Sequence, residues 1–240
     1  MSSELTITDL RKSFRGVQAL EGLSLQISTD QVTGIIGPNG SGKTTLFNVI
    51  TGFMRPDSGQ VQWESERITR LSPHRIARRG LVRTFQHRTA FPDLTVRENV
   101  ETAAVAIGLR GRDQRAEVER ALRLLMLDDI ADKVASSLSF GATRLVGIAC
   151  LLPLRPKLML LDEPAAGLSG QEATELAVAL RTIIEDGHAV CVVDHSMEFM
   201  TDFCDVIFAM DAGVLLTQGT PTEVMQNSAV EVAYLGHSVG

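Results

Sequence analysis

The sequence predicts an α/β fold, and three observations carry the prediction. An apolar strand beginning at Val32 runs into Gly37-Pro-Asn-Gly-Ser-Gly42-Lys43-Thr44-Thr45 and on into a helix from Lys43 to Thr51, a strand-loop-helix unit. Two continuous apolar runs, Leu158 to Leu161 and Ala189 to Val193, read as strands buried on both faces of a parallel sheet. Between them Ala173, Leu176, Ala177, Leu180 and Ile184 keep helical spacing, which gives a crossover helix with one buried stripe.

The other elements follow in order along the chain. The first thirty residues alternate in short apolar and polar steps, with Leu5 and Ile7 and then Leu23, Leu25 and Ile27 on one side, the pattern of antiparallel strands with one solvated face. Gly59 to Trp63 adds to that sheet. The stretch from about Thr95 to Leu152 has no strand signal; Val118, Leu122 and Leu125 on Arg- and Glu-rich sequence predict a helical insert, with the charges of Arg112 to Leu125 on a solvated outer face. Most of the arginines between Arg67 and Arg88 read the same way, as a solvated face, with Arg83 and Arg88 set apart. No repeat or Gly/Ser linker divides the chain, so residues 1–240 are expected to form one domain.

Composition excludes several classes. A chain of 240 residues with 44% apolar and 22% charged residues is an ordinary globular protein, long enough to bury a sizeable core. Its 23 basic and 29 acidic residues leave a formal charge of −6, which gives no basic footprint and argues against a nucleic-acid partner. The longest uncharged stretch, Gln31 to Gly42, is far short of the roughly 20 apolar residues of a membrane span. Met1 to Lys12 lacks the order of a secretion signal, so a cytoplasmic location is expected. Cys150, Cys191 and Cys204 are scattered among apolar neighbours, as reduced core thiols are.

The segment from Gly37 to Thr44 satisfies G-x-x-x-x-G-K-[ST], a match that average residue frequencies give by chance in about one chain in a hundred of this length. Set between a strand and a helix, its main-chain N–H groups and the positive helix end converge where a polyphosphate would sit. Gly37, Asn39, Gly40, Ser41, Gly42, Lys43, Thr44 and Thr45 are therefore the candidate nucleotide-binding set. Lys43, one of four lysines, is placed to reach the β and γ phosphates, and the Thr44 hydroxyl to ligate Mg²⁺. Phosphoryl transfer also needs a metal-holding carboxylate and a group that positions water. Leu158-Met-Leu-Leu-Asp162-Glu163-Pro164 supplies both: Asp162 ends a buried strand, where an unpaired carboxylate is costly, so a metal or a phosphate-loop partner is expected. Glu163 follows as candidate general base.

With these motifs in order, the chain resembles the ATP-binding subunits of ABC transporters from about Leu5 to Gly236. The resemblance implies a RecA-like P-loop ATPase core with an antiparallel β subdomain and an α-helical subdomain inserted at about residues 88–155. It implies ATP and Mg²⁺ as ligands, and an aromatic at Phe14 that stacks on adenine. Gln86 in Arg83-Thr-Phe-Gln86-His87 is similar to the glutamine that touches Mg²⁺ and links the core to the membrane partner. His195 in Val192-Val-Asp-His195 matches the histidine that contacts the γ phosphate. The signature Leu-Ser-Gly-Gly-Gln appears as Leu138-Ser139-Phe140-Gly141-Ala142. Ser139 and Gly141 are kept and would serve the nucleotide of a second subunit, whereas Ala142 departs from the pattern.

Val82 to His87, Leu161 to Leu168 and the tail Ala233-Tyr-Leu-Gly236 resemble the ATP-binding subunits of branched-chain amino acid importers. A similar tail occurs in the ATPase of lipopolysaccharide export, but the signature and the Arg83 to His87 segment favour the importer. A soluble ABC ATPase switch is a third alternative. The implied partners are transmembrane permease subunits and a second ATP-binding subunit, identical or similar. The implied place is the cytoplasmic face of the inner membrane, with Arg83 and Arg88 near the docked permease helix.

Overall fold

The computed structural model describes residues 3–85 and 90–236. Gln86, His87 and Arg88, on which part of the sequence reading falls, lie outside the described residues. Strands β1 (Glu4–Phe14) and β2 (Val17–Ser28) pair antiparallel, and the alternation expected there is present because one face is buried. Leu5, Ile7, Leu23, Leu25 and Ile27 are at most 6% exposed. After Ile7 the period slips: a bulge at Asp9, whose φ is 44°, turns Leu10 inward in place of Asp9. Gly59 crosses this bulge so closely that a Cβ there would lie 2.3 Å from the Asp9 carbonyl oxygen.

Strand β3 (Thr33–Ile36) is wholly buried and leads through the glycine-rich loop into helix α1 (Lys43–Ile50). Strands β4 (Ser58–Trp63) and β5 (Glu66–Arg67) complete a four-stranded antiparallel sheet of order β2-β1-β4-β5. The chain then forms a short helix, α2 (Pro73–Ala77), and strand β6 (Leu81–Arg83). Helices α3 (Val96–Ala106), α4 (Gly111–Leu124) and α5 (Phe140–Ala149) follow before strand β7 (Leu158–Asp162). Helix α6 (Gly170–Glu185) is the crossover to strand β8 (Ala189–Val193), as its apolar stripe requires. Helix α7 (Met197–Phe203), strands β9 (Val206–Asp211) and β10 (Val214–Gly219) and helices α8 (Pro221–Met225) and α9 (Ser228–Gly236) end the described chain.

The second sheet has the order β10-β9-β3-β8-β7-β6, parallel except for β10. Its central strands are buried on both faces and divide the core in two. Leu158 and Leu160 of β7 face the antiparallel sheet and α1, while Met159 and Leu161 face the helical side. Because β3, β7 and β8 are parallel neighbours, the loops that leave their C-terminal ends open on one edge of the sheet, where α/β folds place ligands.

One surface expectation is corrected. Helix α4 does not send all its charges to solvent: Glu117 is buried and pairs with Arg155 and Arg120, and Arg120 pairs with Asp186 beside His188. These contacts tie the helical region to the end of the crossover helix. The arginines after Arg67 differ in their surroundings. Arg79 forms a two-pronged pair with Glu66, and Arg83 is 7% exposed.

Candidate active site

The glycine-rich loop turns on Gly42, which adopts φ 104° at the N-cap of α1; a Cβ there would come within 2.4 Å of the Ala19 carbonyl oxygen. The loop folds around the Lys43 ammonium, which donates to Gly37 O at 2.7 Å, Pro38 O at 2.9 Å and Ser41 Oγ at 3.2 Å. Burial pushes the Lys43 pKa below its ordinary value, and the nearby Glu163 and Asp162 carboxylates oppose that shift. The ammonium thus sits on the loop's own oxygen atoms.

A cavity of about 270 Å³ opens at this edge. Phe14, Asn39, Gly40, Gly42, Lys43, Thr44 and Thr45 line it from one side, and Glu163 and His195 from the other. Phe14 ends β1 and is exposed; the Lys12 ammonium lies 5.6 Å from its ring centroid, and Lys12 is anchored by Asp57 at 2.7 Å.

Glu163 is a non-glycine residue at φ 49°, a sparsely populated conformation that turns the chain sharply out of β7. Its N–H donates to Val193 O at 2.7 Å, which ties the turn to the neighbouring strand. His195 leaves that strand, and its Nε2 lies 2.9 Å from Glu163 Oε1. Asp194, which sequence reasoning missed, holds the two loops together. Fully buried, it accepts from the backbone N–H groups of His195 at 2.8 Å and Ser196 at 2.9 Å with Oδ1, and from Ala165 N at 2.8 Å with Oδ2. An Asp directly after a buried apolar strand was the available signal, the same one that marked Asp162.

Asp162 is buried and is paired within the chain. Arg83 Nη2 donates to Asp162 Oδ2 at 2.8 Å, with both side chains at most 5% exposed. Arg83 also donates to Asn48 Oδ1 at 2.7 Å, and its guanidinium lies over the rings of Phe85 and Phe47. Burial raises the Asp162 pKa and Arg83 opposes that rise. Arg83 is therefore a buried ion-pair residue that also borders a groove on the helical side.

Ser139 caps α5, accepting from Ala142 N at 3.2 Å, and Gly141 is buried in its first turn. Neither lines the phosphate-loop cavity, so within one chain these two form a separate patch. Beyond Arg83, an apolar groove of about 870 Å³ runs between Phe85 and the helical region. Exposed Phe91 forms part of its wall, fixed by Asn99, which accepts from Phe91 N at 2.6 Å and donates to Phe91 O at 3.1 Å.

The donors available for a metal are the Thr44 hydroxyl and the Asp162 carboxylate, with Gln86 outside the described residues. Among the described residues no three His, Cys, Asp or Glu side chains gather at one point. A single carboxylate with a hydroxyl is the hard, oxygen-only set that suits Mg²⁺ when substrate phosphates and water complete its shell.

Comparison with known proteins agrees with this geometry. The ABC transporter family model matches residues 20–166. The chain is 35% identical to the high-affinity branched-chain amino acid transport ATP-binding protein BraF of Pseudomonas aeruginosa, over 98% of both chains. Among solved structures it is similar to the ADP conformation of MJ1267, an ATP-binding cassette of an ABC transporter. That match has a TM-score of 0.89 and 30% identity over 98% of this chain and 99% of the other. It also superimposes on the dimeric structure of MJ0796, a bacterial ABC transporter cassette. There the TM-score is 0.78 and the identity 25%, over 90% of this chain and 98% of that one.

Proposed function

Because the chain belongs to the ABC transporter family, and binds and hydrolyses ATP with Mg²⁺ as that family does, we propose that it powers an importer for branched-chain amino acids. The observation that carries the reading is the convergence of the phosphate loop, Glu163 and His195 on one cavity. The identity to BraF along nearly the whole chain supports the substrate class.

In this reading Phe14 stacks on adenine, while the main-chain amides of Asn39 to Thr45 and the Lys43 ammonium hold the phosphates. Thr44, Asp162 and Gln86 would hold Mg²⁺, which when bound neutralises charge on the β and γ phosphates. Glu163 accepts the proton of the attacking water, and His195 holds the Glu163 carboxylate in place through its Nε2. Two subunits pair so that Ser139 and Gly141 of one complete the site of the other, and the likeness to a dimeric cassette supports this pairing. The apolar groove beside Phe85 and Phe91 suits a cytoplasmic helix of a permease, which supports a position on the cytoplasmic face of the membrane. Among the described residues no helix is long and apolar enough to cross a membrane.

The test is uptake of labelled leucine by vesicles in which this chain is reconstituted with a branched-chain amino acid permease. ATP-dependent uptake should appear with the wild-type chain. It should fall about 10²- to 10⁴-fold with Glu163→Gln, while that variant still binds ATP. Stimulation by an export permease without leucine uptake would overturn the substrate assignment, and full turnover by Glu163→Gln would overturn the role of the base.

A further inference from the structure

Helix α6 begins with a capping box: Glu172 Oε2 accepts from Ser169 N at 3.0 Å and from Ser169 Oγ at 2.9 Å. The second oxygen of the same carboxylate reaches out of the box into the patch formed by Ser139 and Gly141. Gly141 N donates to Glu172 Oε1 at 3.2 Å, beside the Ser139 hydroxyl that caps the same helix. The approach is close. A Cβ on Gly141 would lie 3.0 Å from Glu172 Oε1 and 3.1 Å from its Cγ, so Gly141 admits the Glu172 side chain where a larger residue would push it aside.

Those two donors are the groups that, under the function proposed above, bind the terminal phosphate of the nucleotide carried by the opposite subunit. Carboxylate and phosphate oxygens compete for the same partners: a main-chain N–H and a hydroxyl at the positive end of a helix. A negative side chain left beside an arriving phosphate also repels it. We propose that Glu172 is a resident anion which occupies the phosphate seat of α5 in the single chain and must give it up when two subunits close. It thereby sets the ATP concentration at which closure occurs. The inference rests on the assignment of Ser139 and Gly141 to the opposing nucleotide.

Glu172→Gln tests it, because glutamine also serves at the third position of a capping box and keeps α6 intact while removing the charge. ATP-dependent dimerisation is followed by light scattering in a Glu163→Gln background, which suppresses turnover. The ATP concentration for half-maximal dimer should fall about three- to tenfold in Glu172→Gln, with the affinity of the monomer for a fluorescent ATP analogue unchanged. Glu172→Asp, too short to span Ser169 and Gly141 together, should shift the curve in the same direction. An unchanged or higher ATP requirement in both variants overturns the proposal. Ser139→Ala separates the two levels of the argument. If it abolishes dimerisation while the Glu172 variants change nothing, Glu172 alone is misassigned; if it leaves dimerisation intact, the assignment of the α5 patch fails.

Discussion

Arg83 and Asp162 form a buried ion pair, Nη2 to Oδ2 at 2.8 Å, that joins the carboxylate beside the phosphate loop to the wall of the apolar groove. The pair lies between two adjacent parallel strands, β6 and β7, and Thr84 reinforces it by accepting from Asp162 N at 3.0 Å. A carboxylate at the end of β7 and a guanidinium at the wall of the apolar groove thus share one hydrogen-bonded unit.

Breaking the pair from one side leaves a buried charge without compensation. Arg83→Met should lower the unfolding free energy by about 3–5 kcal/mol, read from urea titrations. The double variant Arg83→Met/Asp162→Asn should recover part of that loss because neither charge remains. Additive losses in the double-mutant cycle would show that the two side chains are not coupled.

Lys43 contributes a charged donor held in reserve by three acceptors of its own loop. Lys43→Ala should weaken binding of a fluorescent ATP analogue by about 10- to 100-fold, the range of about 1.5–3 kcal/mol for hydrogen bonds to charged groups. Equal affinity in the two proteins would remove Lys43 from the phosphate site.

Asp57 supports the end of β1 that presents Phe14. It accepts from Lys12 Nζ at 2.7 Å and from Ser13 N at 2.7 Å, and these donors, Lys12 foremost, lower its pKa from 3.8 to about 2. A carboxyl whose folded pKa is depressed adds stability above its unfolded pKa, and that stability disappears as pH falls through the folded value. The stability difference between wild type and Asp57→Asn should therefore be constant above about pH 5 and shrink between about pH 4 and about pH 2. A difference that persists unchanged at the acid end would exclude Asp57 ionisation as its source.

Much of the architecture could be read from local pattern. The alternation of Leu5, Ile7, Leu23, Leu25 and Ile27 marks a half-buried antiparallel pair, and the unbroken apolar runs of β7 and β8 mark strands covered on both sides, because side-chain direction repeats every two residues along a strand. The bulge at Asp9 was not legible, since it depends on Gly59 arriving from a distant strand. Likewise the solvated reading of α4 failed at Glu117, whose partner Arg155 comes from beyond α5.

What the sequence by itself determined is the chemistry within one stretch of chain: a glycine loop closed by Lys43 and Thr44, an acidic pair at the end of an apolar strand, and a serine and glycine opening α5. Such features need contacts over only a few residues, which spacing and residue type express directly. Tertiary structure alone decided which groups meet. Arg83 reaches Asp162 across 79 positions, His195 reaches Glu163 across 32, and Glu172 reaches Gly141 across 31. Those meetings depend on strand order and on the angle at which α6 packs beside α5. Geometry of that kind is a property of the packed sheet and helices together, and no single segment encodes it.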